Sequence, residues 1–424
     1  MSPEPRTLVV GTTGDYIDWI GRHYPARALF LTDPHARAKA SEPAPDAAGE
    51  LLADLTDEPA VWARLHKHPE QHLQTLAGVA CFDDESMHLA ALLAQKLLLP
   101  YPPPETILTC RNKHLCKEAW RQAGVPTARA ILAESDAQAA DFAALVNGSV
   151  VLKPATGSGS ELAFQCHSPA QASAAYREIR AGLAGRAGNR MYFSQDGPGD
   201  TEPAIIVEEF VTGQEFSCDF IVEAGRARVI RFAAKLLAPG APLGTARGYI
   251  IPATPPGLDL EAFNSVLARA AHAVGIDRSI CMLDFFVDAG QPALLELAPR
   301  PGGDCLAWLI RHSSGLDMLG LTVDFAQRRP VNIPPAADWK PMVGLRIRAD
   351  RAGAVRSIDT AQLEADPRVR QIHLFRSPGH EVILPPDDYD SWIFGHVIFQ
   401  PLEAPSIESQ CDDLANKLRI EIKP

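Results

Sequence analysis

No stretch of this sequence reaches the roughly eighteen uninterrupted apolar residues of a membrane-spanning helix, and its opening MSPEPRTLVV lacks a basic segment followed by an apolar one. Neither a span nor a leader is expected. Basic residues are in deficit, with Lys+Arg 40 against Asp+Glu 52 and a net charge of -12. That balance leaves no basic footprint for a phosphate backbone, so neither nucleic acid nor a membrane surface is expected as a partner. The eight cysteines (Cys81, Cys110, Cys116, Cys166, Cys218, Cys281, Cys305 and Cys411) form no C-x-x-C pair and no Cys/His zinc spacing. Reduced, buried thiols and a cytoplasmic location are the expectation. No G-x-G-x-x-G and no Walker A loop is present. Lysine is scarce, ten against thirty arginines, so a lysine inside an apolar run is worth inspecting.

What the chain does have is 424 residues with a 46% hydrophobic and 22% charged composition, too long for one core and ordinary for an enzyme. Apolar runs at 8–10, 28–31 and 78–82 alternate with helical patterns, which predicts a parallel α/β unit over 1–108. Gly11-Thr12-Thr13-Gly14 reads as a tight strand-to-helix turn. In HKHPEQH, Pro69 is expected to interrupt the helix between His68 and His72, so His66, His68 and His72 read as a solvated face rather than a metal site. Asp83-Asp84-Glu85 is expected to cap a helix over 86–99. Tyr101 to Pro104 then leaves the unit as a loop, and a helix over 111–123, stopped by Gly124 and Pro126, leads onward.

The run ICMLDFFVDAGQPALLELAPRPGG at 280–303 reads as two strands and a turn, with Asp284 and Glu296 standing where hydrophobes belong. A three-residue loop at 289–291 sets these carboxylates face to face. Facing, buried like charges are unfavourable without a cation. Mg²⁺, which takes one or two carboxylates and completes its shell with water and phosphate oxygens, is expected there, with Mn²⁺ as a substitute. Arg300 adds a fixed positive charge four residues on. A strand at 149–154 ends in Lys153 beside Thr156-Gly157-Ser158-Gly159-Ser160. A point charge, free backbone N–H groups and hydroxyls suit a phosphate; a surface hairpin with a snorkelling lysine reads the same way. Glu208, Glu209 and Glu215 around Phe210-Val211 fit either solvated strand ends or an adenosine pocket. Residues 186–204 read as a mobile loop, 258–274 and 306–326 as helical, and 341–424 as short strands with a last helix at 405–417.

In this order Lys113, Lys153 with its loop, Glu208 to Glu215, Asp284, Glu296 and Arg300, in the runs VLKPATGSGS, VEEFVTGQEFS and LELAPRPGG, resemble the ATP-grasp superfamily over most of the chain. The resemblance implies an ATP-grasp fold: a Rossmann-like parallel α/β domain over 1–108, a connecting helix over 109–125, a lid over 126–204, and an antiparallel-sheet catalytic domain with an extension over 205–424. It implies ATP between lid and sheet, with Lys113 and Lys153 on its phosphates and Ser158, Gly159 and Ser160 closing over them. Glu208 and the backbone of Glu209, Phe210 and Val211 would hold adenine, Glu215 the ribose, and Asp284 and Glu296 the Mg²⁺. Lys153 and Arg300 would be catalytic, Arg300 facing an acyl phosphate. The implied activity is that of a carboxylate–amine ligase similar to the L-amino-acid ligases or dipeptide synthetases, with small-molecule acid and amine substrates and, by analogy, a homodimer. A bicarbonate- or formate-using enzyme, or an inactive ATP-binding regulator, are the other readings. Many members have Asn where Ala298 stands, which removes one metal contact here. Arg247 is expected to recognise a carboxylate on the acid substrate, with Tyr249 and Gly303 beside it.

Overall fold

The computed structural model describes residues 4–186, 189–192, 203–238 and 240–423, so most of the loop expected at 186–204 lies outside the described residues. Four strands, β1 (Arg6–Val10), β2 (Ala28–Thr32), β3 (Glu50–Leu52) and β4 (Leu76–Ala80), pair in parallel in the order β3-β2-β1-β4. Side chains alternate along β1 and β2, and both faces are covered. Leu8, Val10, Leu29 and Leu31 pack with the helix Met87–Leu97, whereas Val9 and Phe30 pack with the helices Gly14–His23 and Met318–Ala326. The last of these comes from far along the chain, so the unit expected over 1–108 is completed by C-terminal residues. Helix Glu58–Gln71 runs on through Pro69 instead of breaking there. The buried Val61, Leu65 and His68 hold its inner face, and a proline in the last turn costs only one hydrogen bond near an end that frays.

The single helix expected at the domain junction is two, Pro104–Arg111 and Lys113–Gln122. Asn112 between them is extended, and its side chain accepts from the N–H groups of His114 and Leu115, which starts the second helix. A lid follows, formed by β5 (Ala130–Ala133), β6 (Val150–Pro154), β7 (Phe164–Cys166) and β8 (Ile205–Glu209) in the antiparallel order β5-β8-β6-β7. Because β8 pairs with β5 and β6, the lid extends past the expected end at 204, to Glu209.

The remaining strands are β9 (Gln214–Glu223), β10 (Arg226–Leu237), β11 (Ala246–Ile251), β12 (Ser279–Asp288), β13 (Gln291–Ala298), β14 (Met342–Arg348), β15 (Gly353–Asp359), β16 (Val369–Leu374), β17 (Glu381–Val382), β18 (Ile393–Phe399) and β19 (Arg419–Lys423). Eight of them make one sheet, β13-β12-β9-β10-β11-β14-β18-β16, and β17-β15-β19 make a small one. One face of the hairpin end buries Phe216, Phe220, Leu283 and Phe285 against Trp120, Phe263 and Leu267 from the helices Lys113–Gln122 and Leu260–Ala273. Alternation then turns Glu215, Lys235 and Asp284 to the opposite face, toward the lid.

The hairpin turn has two residues, not three: Ala289 and Gly290 both take positive φ, the two-residue geometry that suits strand twist, and Asp288 pairs with Gln291. A bulge at Leu295 shifts the register back by one, so Asp284 still pairs with Glu296. Among the described residues no helix is long and apolar enough to cross a membrane.

Candidate active site

Between lid and large sheet lie two adjoining cavities. The first, of about 390 Å³, is an apolar slot between Val151, Pro154, Phe210 and Val211 on the lid side and Leu237, Phe286 and Leu295 on the sheet side. The second, of about 230 Å³, is a polar chamber whose charged walls include Asp84, Arg111, Arg300, Asp304 and Arg346. Lys113, Ser158, Ser160, Lys235, Asp284 and Glu296 line both. Two lysines and two carboxylates thus meet where the cavities join.

Local structure fixes these groups. Lys113 begins its helix, its N–H bonded to Ala155 O at 2.8 Å and its Nζ donating to Gly157 O at 2.6 Å, so the loop after β6 is tied to the helix start. Gly157 has φ +113, and a Cβ there would stand 2.9 Å from the Tyr192 ring, so any side chain would be both strained and crowded. Lys153 Nζ lies 3.2 Å from Glu208 Oε1, and Lys117 Nζ lies 3.7 Å from Glu208 Oε2. Burial opposes the charge of Lys153, but Glu208 and then Glu296 outweigh it and hold its pKa above the ordinary lysine value. Burial depresses Lys113 and Lys117, with the nearby carboxylates only partly restoring them.

On the sheet, Lys235 Nζ donates to Glu215 Oε1 at 2.6 Å and to Asp284 Oδ2 at 2.9 Å. Burial pushes the Asp284 carboxyl up to about 6 against the pull of Lys235, with Glu296 and Glu215 adding to the rise. Glu296 is kept below the ordinary range: burial opposes its charge, and Lys113, Lys153 and Lys235 prevail. Arg300 makes a two-pronged bond to Asp84, Nε to Oδ1 at 2.8 Å and Nη2 to Oδ2 at 2.5 Å. The turn behind it is rigid because Gly302 N–H donates to Asp219 Oδ1 at 2.8 Å, and Asp219 is itself paired to the buried Arg231.

Several expectations change here. The helix after the acidic triplet starts at Met87 without a side-chain cap: Asp83 accepts from the N–H of Ser86, the residue before the helix, and Asp84 holds Arg300 instead of a helix end. Glu209 turns to Arg129, and the N–H groups of Glu209 and Phe210 already bond to Arg129 O and Ser149 O; two of the three backbone donors expected to read adenine are thus occupied. Glu208 lines the slot with its carboxylate committed to two lysines. Arg247 points away: its Nη2 pairs with Asp412 Oδ1 at 2.5 Å on the helix Ile407–Lys417, while Tyr249 and Gly303 do line the chamber. Arg247→Ala should accordingly leave KM for an acid substrate unchanged and cost at most about 1 kcal/mol in denaturant melts; a raised KM would return it to the site. Gly11 and Gly14 line neither cavity.

The sequence model of the ATP-grasp domain family matches residues 146–307, which hold β6, β7 and β8 of the lid, Lys153 and the hairpin. This chain carries an ATP-grasp domain. Along the whole length its fold is shared with the L-amino acid ligase of Bacillus licheniformis, which superposes with a TM-score of 0.77 at 18% identity, covering 100% of both chains. Among curated relatives, the uncharacterized protein y4rH of Sinorhizobium fredii is 26% identical over 309 residues, 73% of this chain and 61% of that one. Dapdiamide A synthase of Enterobacter agglomerans is 25% identical over 245 residues, 57% of this chain and 54% of that one. The chain thus spans between half and two thirds of the length of these two relatives.

Within this ATP-grasp cleft the residues at the hairpin fit a divalent cation. Asp284 Oδ1 is buried and has no hydrogen-bond partner among the described residues, and Glu296, paired across from it, keeps its carboxylate partly open with Lys113 no nearer than 3.6 Å. An oxygen held dry and unpartnered beside a second carboxylate is what a hard cation satisfies. As read from the sequence, the site has no place for Lys235, Lys117, Asp84, Arg111, Asp304 or Arg346. Lys235 had a local signal, a rare lysine in the apolar run RFAAKLL; the others are brought to the cleft by pairings that no local pattern records.

Proposed function

We propose that this chain is an ATP-dependent carboxylate–amine ligase that activates a small carboxylic acid as an acyl phosphate and joins it to an amine, releasing ADP and phosphate. The observation that carries the reading is the convergence of Lys113, Lys235, Asp284 and Glu296 where an apolar slot meets a polar chamber, with Lys153 on the slot side. The slot has the size and apolar walls for a flat base, with Glu215 beneath its rim for a ribose hydroxyl. The chamber has room for small, charged substrates. Two of the similar proteins, an L-amino acid ligase and a dapdiamide synthase, support the same class.

A carboxylate does not react with an amine near neutral pH, because oxide would have to leave. Attack of a carboxylate oxygen on the γ-phosphorus breaks the bond to ADP and makes an acyl phosphate; the neutral amine nitrogen then bonds to the acyl carbon, and phosphate departs as the nitrogen gives up a proton. Lys113 and Lys153 hold the phosphate charges, and Ser158 and Ser160 sit beside them. Asp284 and Glu296 would hold Mg²⁺, which supplies charge neutralisation at the phosphates when bound. Arg300, fixed by Asp84, presents its charge to the chamber. The lid strands over the slot exclude water from the acyl phosphate.

The test is release of phosphate from ATP across a panel of acids and amines. Release that requires both partners, with an amide as product, is the expected result; ATP hydrolysis supported by bicarbonate or formate alone would overturn it.

A further inference from the structure

Lys117 stands one turn after Lys113 on the helix Lys113–Gln122 and on the same face, yet it lines neither cavity. Its side chain is buried, with Nζ donating to Thr127 Oγ1 at 3.2 Å and lying 3.7 Å from Glu208 Oε2. We propose that Lys117 is a positioning residue for ATP: by holding Glu208 from outside the cavities, it leaves Lys153 free to bring its charge to a phosphate. The proposal rests on Lys153 as a phosphate contact and gives a part to a lysine that touches no substrate.

The three groups come from separate places. Lys153 on β6 and Glu208 on β8 both belong to the lid; Glu208 pairs across from Val151, so it shares a face with Lys153 two residues on, and the two side chains approach to 3.2 Å. Lys117 comes from the helix that packs on the large sheet. It reaches the same carboxylate past Thr127, which donates to Leu294 O at 2.8 Å where the chain enters the lid. Burial opposes the charge on Glu208, and Lys117 and then Lys153 overcome it and hold its pKa below the ordinary range. A buried carboxylate with Lys153 as its one cation would keep that lysine, because breaking such a pair strands both charges. Shared between two lysines, it leaves one positive charge in surplus for a phosphate oxygen.

The charge balance of the slot calls for the same lysine. Of the charged side chains that line the slot, Glu161 and Glu209 pair with Arg186 and Arg129. The rest are three lysines, Lys113, Lys153 and Lys235, against four carboxylates, Glu208, Glu215, Asp284 and Glu296. Above the Asp284 pKa of about 6 the walls therefore carry one negative charge in excess, which repels a triphosphate. Lys117 cancels that excess from behind Glu208 without taking up room in the slot.

The test is calorimetric binding to the full chain, with Mg²⁺ at pH 8, of a non-hydrolysable ATP analogue and of adenosine, which has no phosphates. Lys117→Met should raise the Kd for the analogue about tenfold or more and leave that for adenosine unchanged, because one charge-assisted phosphate contact is lost. Adding Glu208→Gln should bring the analogue back to within about threefold of the parent, since Lys153 is then released and the slot is again balanced. The double variant strands no charge, so it decides the matter by itself where Lys117→Met does not fold. Adenosine binding shows that each variant is folded. A Lys117→Met variant that weakens both ligands equally, or neither, overturns the assignment, and so does a double variant that binds the analogue tenfold more weakly than the parent. A parent that binds no analogue overturns the part given to Lys153 and this one with it. Neither acid nor amine enters the measurement, so its failure leaves the ligase reading standing, and a failed phosphate-release panel leaves the part of Lys117 standing.

Discussion

Lys235→Met should destabilise the protein by about 3–5 kcal/mol near pH 8, with phosphate release abolished, because it removes the shared partner of two buried carboxylates. Lys235 Nζ sits 2.6 Å from Glu215 Oε1 and 2.9 Å from Asp284 Oδ2, and its own side chain is nearly inaccessible. Methionine fills similar space without charge, so packing changes little and the electrostatic loss dominates. The loss should also depend on pH. Asp284 already has a folded-state pKa of about 6, above its unfolded value, so the folded state binds more protons than the unfolded chain between the two values and stability declines as pH rises through that window. Without Lys235 the folded-state pKa rises further and the window extends upward. The gap between variant and parent in urea melts should therefore be smaller at pH 5, where Asp284 in the variant is protonated, than at pH 8. A gap under about 1 kcal/mol at both pH values would mean that the lysine is solvated and unimportant. Adding Glu215→Gln to the variant should recover part of the loss, since the two sites share one network.

The sequence made the hairpin legible through two departures that cancel. The turn is one residue shorter than expected, and the bulge at Leu295 inserts one residue, so Asp284 meets Glu296 as the longer loop would have had it. Period-2 alternation with a carboxylate on each strand is a local signal, and it survives such local irregularity. Partner choice over long distance is not local. Asp84 reads as a cap because an acidic triplet follows a strand, and nothing near it announces Arg300, 216 residues on. Arg247 sits in a polar stretch that invites a binding role, and only the return of the helix Ile407–Lys417 shows that Asp412 occupies it. Strand β8 was visible as an apolar run, whereas its membership of the lid is a matter of pairing with β5 and β6. Sequence patterns thus reached the carboxylates of the hairpin and, Lys235 and Lys117 aside, the lysines beside them, and the charged walls that Asp84, Arg111, Asp304 and Arg346 give the chamber emerged only from the packing of distant segments.

Glu296→Ala should separate chemistry from stability in the way Lys235→Met does not. Glu296 keeps its side chain partly open, and its nearest cation, Lys113, is 3.6 Å away and also bonded to Gly157 O. Losing a pair of that exposure costs at most about 1 kcal/mol, so the unliganded variant should melt close to the parent. Removing this carboxylate also relieves the repulsion that helps raise Asp284, which further offsets any loss. Activity should behave differently. If Asp284 and Glu296 together hold Mg²⁺ at the phosphates, deleting one of two protein ligands where Ala298 offers no third removes several kcal/mol of transition-state stabilisation, and kcat/KM for phosphate release should fall about a thousandfold or more. Mg²⁺ with ADP should raise the melting temperature of the parent and not that of the variant, since a ligand stabilises only as far as it binds the folded state. Full activity in Glu296→Ala would remove the metal assignment from the hairpin. Lost activity with the Mg²⁺–ADP shift intact would leave the metal on Asp284 alone and make Glu296 a group that acts on the substrates.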